Sequence, residues 1–325
     1  GIYTVFIINN KNNNNNKIRK NMNKLKTIGL TALGTALIST SAFAADMSVS
    51  GGASISFDDT NRGKGDRGNG FYMGDSINFA ASGEMDNGMS VAVNYEIDGG
   101  ALDDHKIVIG LPDMGSITFN GSGESLAMGA MDDVMPNAYE ESWDIVAGAD
   151  ASNINGVSGA SSFKYTSENY SGLTLNIGYL NGGATVAKSY SDFSVTYAPE
   201  AVAGLSVGYA KGDSEEVTGT TQDDSTMYVK YATEIGLTVG LQRSERDVNA
   251  ADSDLETDAM GITYLFPGDN ISVGYHTSKI KRENDTDEQS ATGVSASYTM
   301  GSMTLAGAMN KVDNVAFAAA DDLEG

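Results

Sequence analysis

From Ala45 onward, hydrophobic and polar residues alternate with a period of two in one segment after another. Adjacent side chains on a strand point to opposite faces, so this alternation predicts strands with one apolar and one polar side. In 47–57, Val49, Ala53, Ile55 and Phe57 share one parity, and Ser48, Ser50, Ser54 and Ser56 share the other. In 89–98, Val91, Val93, Tyr95 and Ile97 alternate with Asn94, Glu96 and Asp98. Fifteen such segments are expected, near 47–57, 75–84, 89–98, 105–111, 116–122, 160–168, 173–180, 192–198, 205–210, 225–233, 237–243, 258–266, 271–279, 289–300 and 303–311.

The links between them fall into two classes. Short ones, such as Asp86-Asn87-Gly88, Pro112-Asp113-Met114-Gly115 and Pro267-Gly268-Asp269-Asn270, carry the residues that tight hairpin turns require. Longer polar connections (58–74, 99–104, 123–159, 181–191, 211–225, 243–257 and 279–289) alternate with them throughout. Strands joined in this way run up and down, with short turns at one end and long loops at the other. An outer-membrane barrel has this asymmetry, together with an apolar outer face and a polar lumen, and it must close because open sheet edges are forbidden in lipid. Phe57, Tyr95, Tyr179, Tyr197, Tyr209, Phe266 and Tyr298 lie near strand ends, where an interfacial aromatic girdle would sit. An outer-membrane or secreted β-protein with an adhesive or structural role is the alternative. The fold class expected is therefore all-β, a transmembrane antiparallel up-and-down β-barrel. Such barrels have even strand numbers, so sixteen strands are expected, with the last one missing from this chain.

The N-terminal residues follow different rules. Residues 1–21 are Asn-rich and read as a mistranslated upstream segment, and Met22 opens a signal-peptide pattern over 22–44. Lys24 and Lys26 precede an apolar run from Ile28 to Ile38, and Ala42-Phe43-Ala44 forms a small-residue cleavage site before Ala45. The barrel is then expected to occupy 45–325.

Composition narrows the chemistry. The chain has 325 residues, 43 acidic and 20 basic, for a net charge of −23. All six charged residues of 1–44 are basic, so 45–325 carries −29. Such acidity excludes a nucleic-acid partner, which needs a basic surface. With no Cys and only His105 and His276, thiol chemistry and His-rich metal centres are excluded. A catalytic nucleophile needs an activating base, and neither His has a recognisable Ser partner, so no enzyme is expected.

The start ADMSVSGGASISF at Ala45, the links GEMDNGMSVAVNYE (83–96) and LPDMGSITF (111–119), and the fifteen alternating segments resemble the Gram-negative general diffusion porins, the alphaproteobacterial porin group especially. The resemblance implies a 16-stranded barrel in the cell outer membrane. It implies a homotrimer among outer-membrane lipids and lipopolysaccharide, passing small hydrophilic solutes and ions by diffusion. It also implies that the third external loop folds inward and narrows the pore.

That loop, 123–159, is the longest connection and contains no Lys or Arg. Asp132, Asp133, Glu140, Glu141 and Asp144 would form an acidic shelf favouring cations, with Pro136 and Trp143 pinning the loop to the wall. Lys106, Lys164 and Lys230 have lumen parity and would form a basic wall opposite; His276 shares that parity. The other long loops carry acidic clusters (Asp213, Asp223 and Asp224; Asp247, Asp252, Asp254 and Glu256; Asp285, Asp287 and Glu288). Weak Ca²⁺ or Mg²⁺ binding is conceivable there, but none has EF-hand spacing, so no cofactor is expected.

Overall fold

A computed structural model of the chain describes residues 5–9, 46–58, 61–62, 70–143, 154, 156–157, 159–182, 189–215, 221–249, 254–318 and 323–324. The strands begin with β1 (Val5–Asn9), β2 (Asp46–Asp58), β3 (Asn61–Arg62), β4 (Gly70–Glu84), β5 (Ser90–Asp98) and β6 (Ala101–Leu111). They continue with β7 (Gly115–Ser122), β8 (Ser162–Thr166), β9 (Leu173–Leu180), β10 (Ser189–Tyr197), β11 (Leu205–Glu215) and β12 (Gln222–Ala232). The last six are β13 (Leu237–Val248), β14 (Leu255–Phe266), β15 (Ile271–Arg282), β16 (Gln289–Met300), β17 (Met303–Asp313) and β18 (Leu323–Glu324). No helix among the described residues is long and apolar enough to cross a membrane.

The fifteen long strands, β2 and β4 to β17, match the fifteen alternating segments and pair antiparallel, each with the next. The circuit returns to its start through β1, which pairs with β17 (Phe6 opposite Leu305) and with β2 (Phe6 opposite Ile55). Beside it, β18 pairs in two-residue rungs with β17 and β3. The sixteenth place around the ring, which the alternation leaves empty, is thus taken by backbone from the Asn-rich segment. Unpaired N–H and C=O groups in lipid cost several kcal/mol each, and β1 pairs part of both facing edges. The cleavage-site residues Ala42, Ala44 and Ala45 lie outside the described residues.

Two expectations about the connections change. The segment 99–104 is not a long loop: Gly99 and Gly100 form a two-residue turn with φ of 54° and 81°, and Leu102 to Asp104 belong to β6. A type I′ hairpin requires positive φ at both central residues, which glycine adopts without steric cost. The strands also rise further on the long-loop side than alternation shows, β11 reaching Glu215 and β13 reaching Val248. Above the apolar band both faces are polar, so the period of two vanishes while the hydrogen-bond ladder continues.

The distribution of hydrophobic side chains is inverted relative to a soluble domain. Val49, Ile77, Ile177, Val229, Leu241, Val273 and Val294 are exposed on the outer face, as are the girdle residues Tyr95, Tyr179, Tyr197, Tyr209, Phe266 and Tyr298. The buried cluster lies inside the ring: Leu126, Met128, Met131, Val134, Met135 and Trp143 of the loop after β7 pack beside Tyr190, Ala210, Tyr228 and Ala259 of the wall.

Candidate functional site: an internal loop and its wall

The loop after β7 enters the barrel at Glu124 and runs along the inner face of β9 to β16. The wall makes room for it with inward-facing glycines. A Cβ at Gly240 would lie 2.6 Å from Pro136 Cδ, one at Gly261 would overlap the Pro136 carbonyl oxygen, and one at Gly274 would lie 2.9 Å from the Ala138 nitrogen. At Gly293 it would lie 2.8 Å from Ser142 Cβ. Gly240, Gly261, His276 and Gly293 are successive register partners across β13 to β16, so the track is continuous.

Side chains between these glycines hold the loop's backbone. The Ala127 and Met128 N–H groups donate to the two oxygens of Asp192 at 3.1 and 2.7 Å. Gln242 Nε2 donates to the Met131 carbonyl at 2.7 Å, and the Ala138 N–H donates to Ser295 Oγ at 3.1 Å. The Ser142 N–H donates to His276 Nδ1 at 2.9 Å. His276 is fully buried, with Trp143 edge-on to its ring at a centroid distance of 6.3 Å. It is therefore neutral in this contact, since a protonated Nδ1 could not accept. Irregular backbone inside a barrel needs such partners for its polar groups.

The acidic residues expected on this loop divide by position. Asp133 and Glu140 are exposed and Asp132 is half-buried. Partial burial raises the pKa of the Asp133 and Glu140 carboxyls above the usual carboxylate range, with Asp132 and Asp133 respectively adding repulsion. Glu141 does not belong to the shelf. It is only 1 % exposed and accepts the Met135 N–H at 3.2 Å, so it fastens the loop to itself instead of facing the pore. Asp144 lies outside the described residues.

The basic residues are arranged differently from a wall opposite the loop. Lys106 on β6 and Lys164 on β8 point inward beside the loop's root, where both pair with Glu124; the Lys164–Glu124 distance is 3.6 Å. Lys164 Nζ also donates to the Ser125 carbonyl at 3.0 Å. Lys230 on β12 opposes Gly240 in the register and forms no ion pair among the described residues. Sequence reading missed Glu124, although its place two residues beyond β7, between two lysine-bearing strands, was a usable signal. It also missed Asp192, Gln242 and Ser295, whose lumen parity says nothing of a backbone partner.

On the opposite arc of the wall, Lys106 is the cation among the described inward-facing residues. Ser48, Ser50, Ser54 and Ser56 of β2, Ser76 and Asn78 of β4 and Asn94 of β5 face inward, followed by Glu96 and by Asp104 of β6. Asn78 donates to Glu96 at 3.2 Å. Carboxylate oxygens of Glu96, Asp103 and Asp104 lie within 4.8 Å of one another, the one group of described residues close enough to share a cation. In one of the acidic loop clusters where weak Ca²⁺ or Mg²⁺ binding was conceivable, Asp224 is held by Arg246 through two hydrogen bonds of 2.7 and 3.1 Å.

The model of the Gram-negative porin family matches residues 29–324. No curated protein matches the sequence. Among solved structures, the anion-selective porin from Comamonas acidovorans superposes with a TM-score of 0.61 at 14% identity, over 83% of this chain and 89% of that one. The outer-membrane-expressed OmpT of Vibrio cholerae gives 0.63 at 12% identity, over 85% and 89%. A mutant of the Rh. blastica porin gives 0.58 at 15% identity, over 86% and 97%.

Proposed function

We propose, given that this chain belongs to the Gram-negative porin family, that it forms a water-filled, cation-preferring channel for passive diffusion of small hydrophilic solutes. Its place is the outer membrane, where the apolar exterior and aromatic girdle meet lipid. A channel fits this interior better than an enzyme does: its charged groups are spread along a passage, and the one His–Ser contact among the described residues, His105 Nδ1 to Ser122 Oγ at 2.9 Å, which the sequence did not foretell, leaves the serine hydroxyl donating to the Asp103 carbonyl at 2.7 Å and not to the imidazole. Assembly as a homotrimer is part of the proposal, and a trimer form of the similar Vibrio cholerae OmpT supports it.

The cation preference rests on one observation: Asp133 and Glu140 are exposed and Asp132 half-buried on a loop held along the inner wall, and residues 123–159 contain no Lys or Arg. A carboxylate field inside a narrow, low-dielectric passage raises the local cation concentration. The fold does not decide the sign, since one structural neighbour is an anion-selective porin. The deciding measurement is the reversal potential of the folded protein in a planar bilayer under a KCl gradient. Selectivity for K⁺ over Cl⁻ is expected. Anion selectivity would overturn the cation preference, and folded protein that gives no conductance would overturn the channel.

A further inference from the structure

We infer that Glu124 sets the ion selectivity of the passage by binding two wall lysines and withholding their charge from the pore. Lys106 and Lys164 stand on strands either side of β7, opposite Asn120 and Thr118. Their inward parity would project two ammonium groups into the lumen beside the loop's root. Glu124 lies between them and takes one on each carboxylate oxygen, Lys106 on Oε1 and Lys164 on Oε2. All three side chains keep 18–29% exposure, so the pairs sit at the lumen surface and not in the core. The Ser125 carbonyl takes a further Lys164 proton, which fixes that lysine against the loop root and away from the passage. Next to this group lies a cavity of about 430 Å³ lined by Asp104, Glu124, Lys164 and Asn176, through which solute would meet whatever charge is left uncovered.

A lysine held in an ion pair and a lysine free to extend contribute different fields, because the free side chain carries its charge several ångströms further into the passage. Removing Glu124 therefore does more than delete one negative charge; it unpairs two positive ones, freeing Lys106 and leaving Lys164 held by the Ser125 carbonyl alone. The consequence is non-additivity, which separates this role from that of any other lumen carboxylate.

The inference rests on the channel reading for its electrical readout, and the experiment keeps the two apart. Wild type, Glu124→Gln, Lys106→Met/Lys164→Met and the triple variant are compared by reversal potential after heat-modifiable migration confirms folding. Glu124→Gln is expected to lower the cation-to-anion permeability ratio roughly threefold in the wild-type background, and by much less where the lysines are absent. Equal shifts in both backgrounds would overturn the inference while leaving a conducting channel intact. A second readout needs no current: amine acylation followed by mass spectrometry. Lys106 and Lys164 are expected to react roughly threefold faster in Glu124→Gln, with Lys230 unchanged as the internal reference. Unchanged rates would overturn the pairing. Should Glu124→Gln fail to fold, Glu124→Asp, which shortens the reach by one methylene, is expected to give shifts in the same direction, and wild-type behaviour there would count against the inference.

Discussion

The inner faces of β9 to β16 and of β2 to β6 obey the same period of two, yet they carry different residues. On the first arc Gly240, Gly261, Gly274 and Gly293 are interleaved with Asp192, Gln242, His276 and Ser295. On the second the inward positions include Ser48, Ser50, Ser54, Ser56, Ser76, Asn78 and Asn94, with Glu96, Asp104 and Lys106 toward its end. Both arcs are polar, but for different reasons. A wall that faces water needs only groups that water can solvate. A wall that faces another stretch of polypeptide needs space for its backbone and a donor or acceptor for each peptide group it covers.

The largest test of this contrast places one bulky residue on each arc. Gly261→Leu would drive a side chain into the Pro136 carbonyl, and overpacking of this kind costs about 1–3 kcal/mol. The transition temperature of heat-modifiable migration is expected to fall, and conductance to rise as the loop leaves the wall. Ser50→Leu on the open arc meets no loop among the described residues and is expected to stay within about 0.5 kcal/mol of wild type. Equal losses at both positions would mean that the loop does not depend on the glycine track.

A smaller effect is expected from removing an anchor while leaving the track. Asp192→Ala strands the Ala127 and Met128 N–H groups, and a buried donor without a partner costs about 1–3 kcal/mol. Current noise from a loosened loop root is the readout. Asp192→Asn, which keeps one acceptor oxygen, is expected to show an intermediate level. Quiet channels in Asp192→Ala would show that the glycine track alone retains the loop.

The strands of both arcs are legible in the sequence, because a two-faced strand writes its environment into alternate residues. The outer girdle is legible for the same reason, from Tyr95 to Tyr298. The difference between the arcs is not, since the inward parity of Gly240 is as compatible with a bare lumen as with a covered one. Glu141 shows the same limit: its charge predicts a solvated side chain, whereas the turn brings the Met135 N–H onto its carboxylate in the buried position. Gly99-Gly100 was read within a longer loop because Asp103, Asp104 and His105 break the apolar parity of β6 just where that strand leaves the band. β1 is five residues long and lies among asparagines, so no periodic signal could assign it to the ring.

The mildest expected effect concerns acid, and it also separates the arcs. Burial raises the pKa of Asp133 and Glu140, so their neutral forms are favoured in the folded loop relative to the unfolded chain. The sign follows: these two groups oppose folding when ionised, and that penalty is relieved as pH falls through their raised pKa values. The same protonation removes lumen charge. Cation preference is therefore expected to decline, by roughly twofold, at a higher pH than ordinary exposed carboxylates would give. Reversal potentials measured across an acid series should show this decline in wild type and lose it in Asp133→Asn/Glu140→Gln. If the double variant keeps the wild-type profile, the titrating charge lies elsewhere than on these two loop carboxylates, and the covered arc shapes the passage without setting its response to acid.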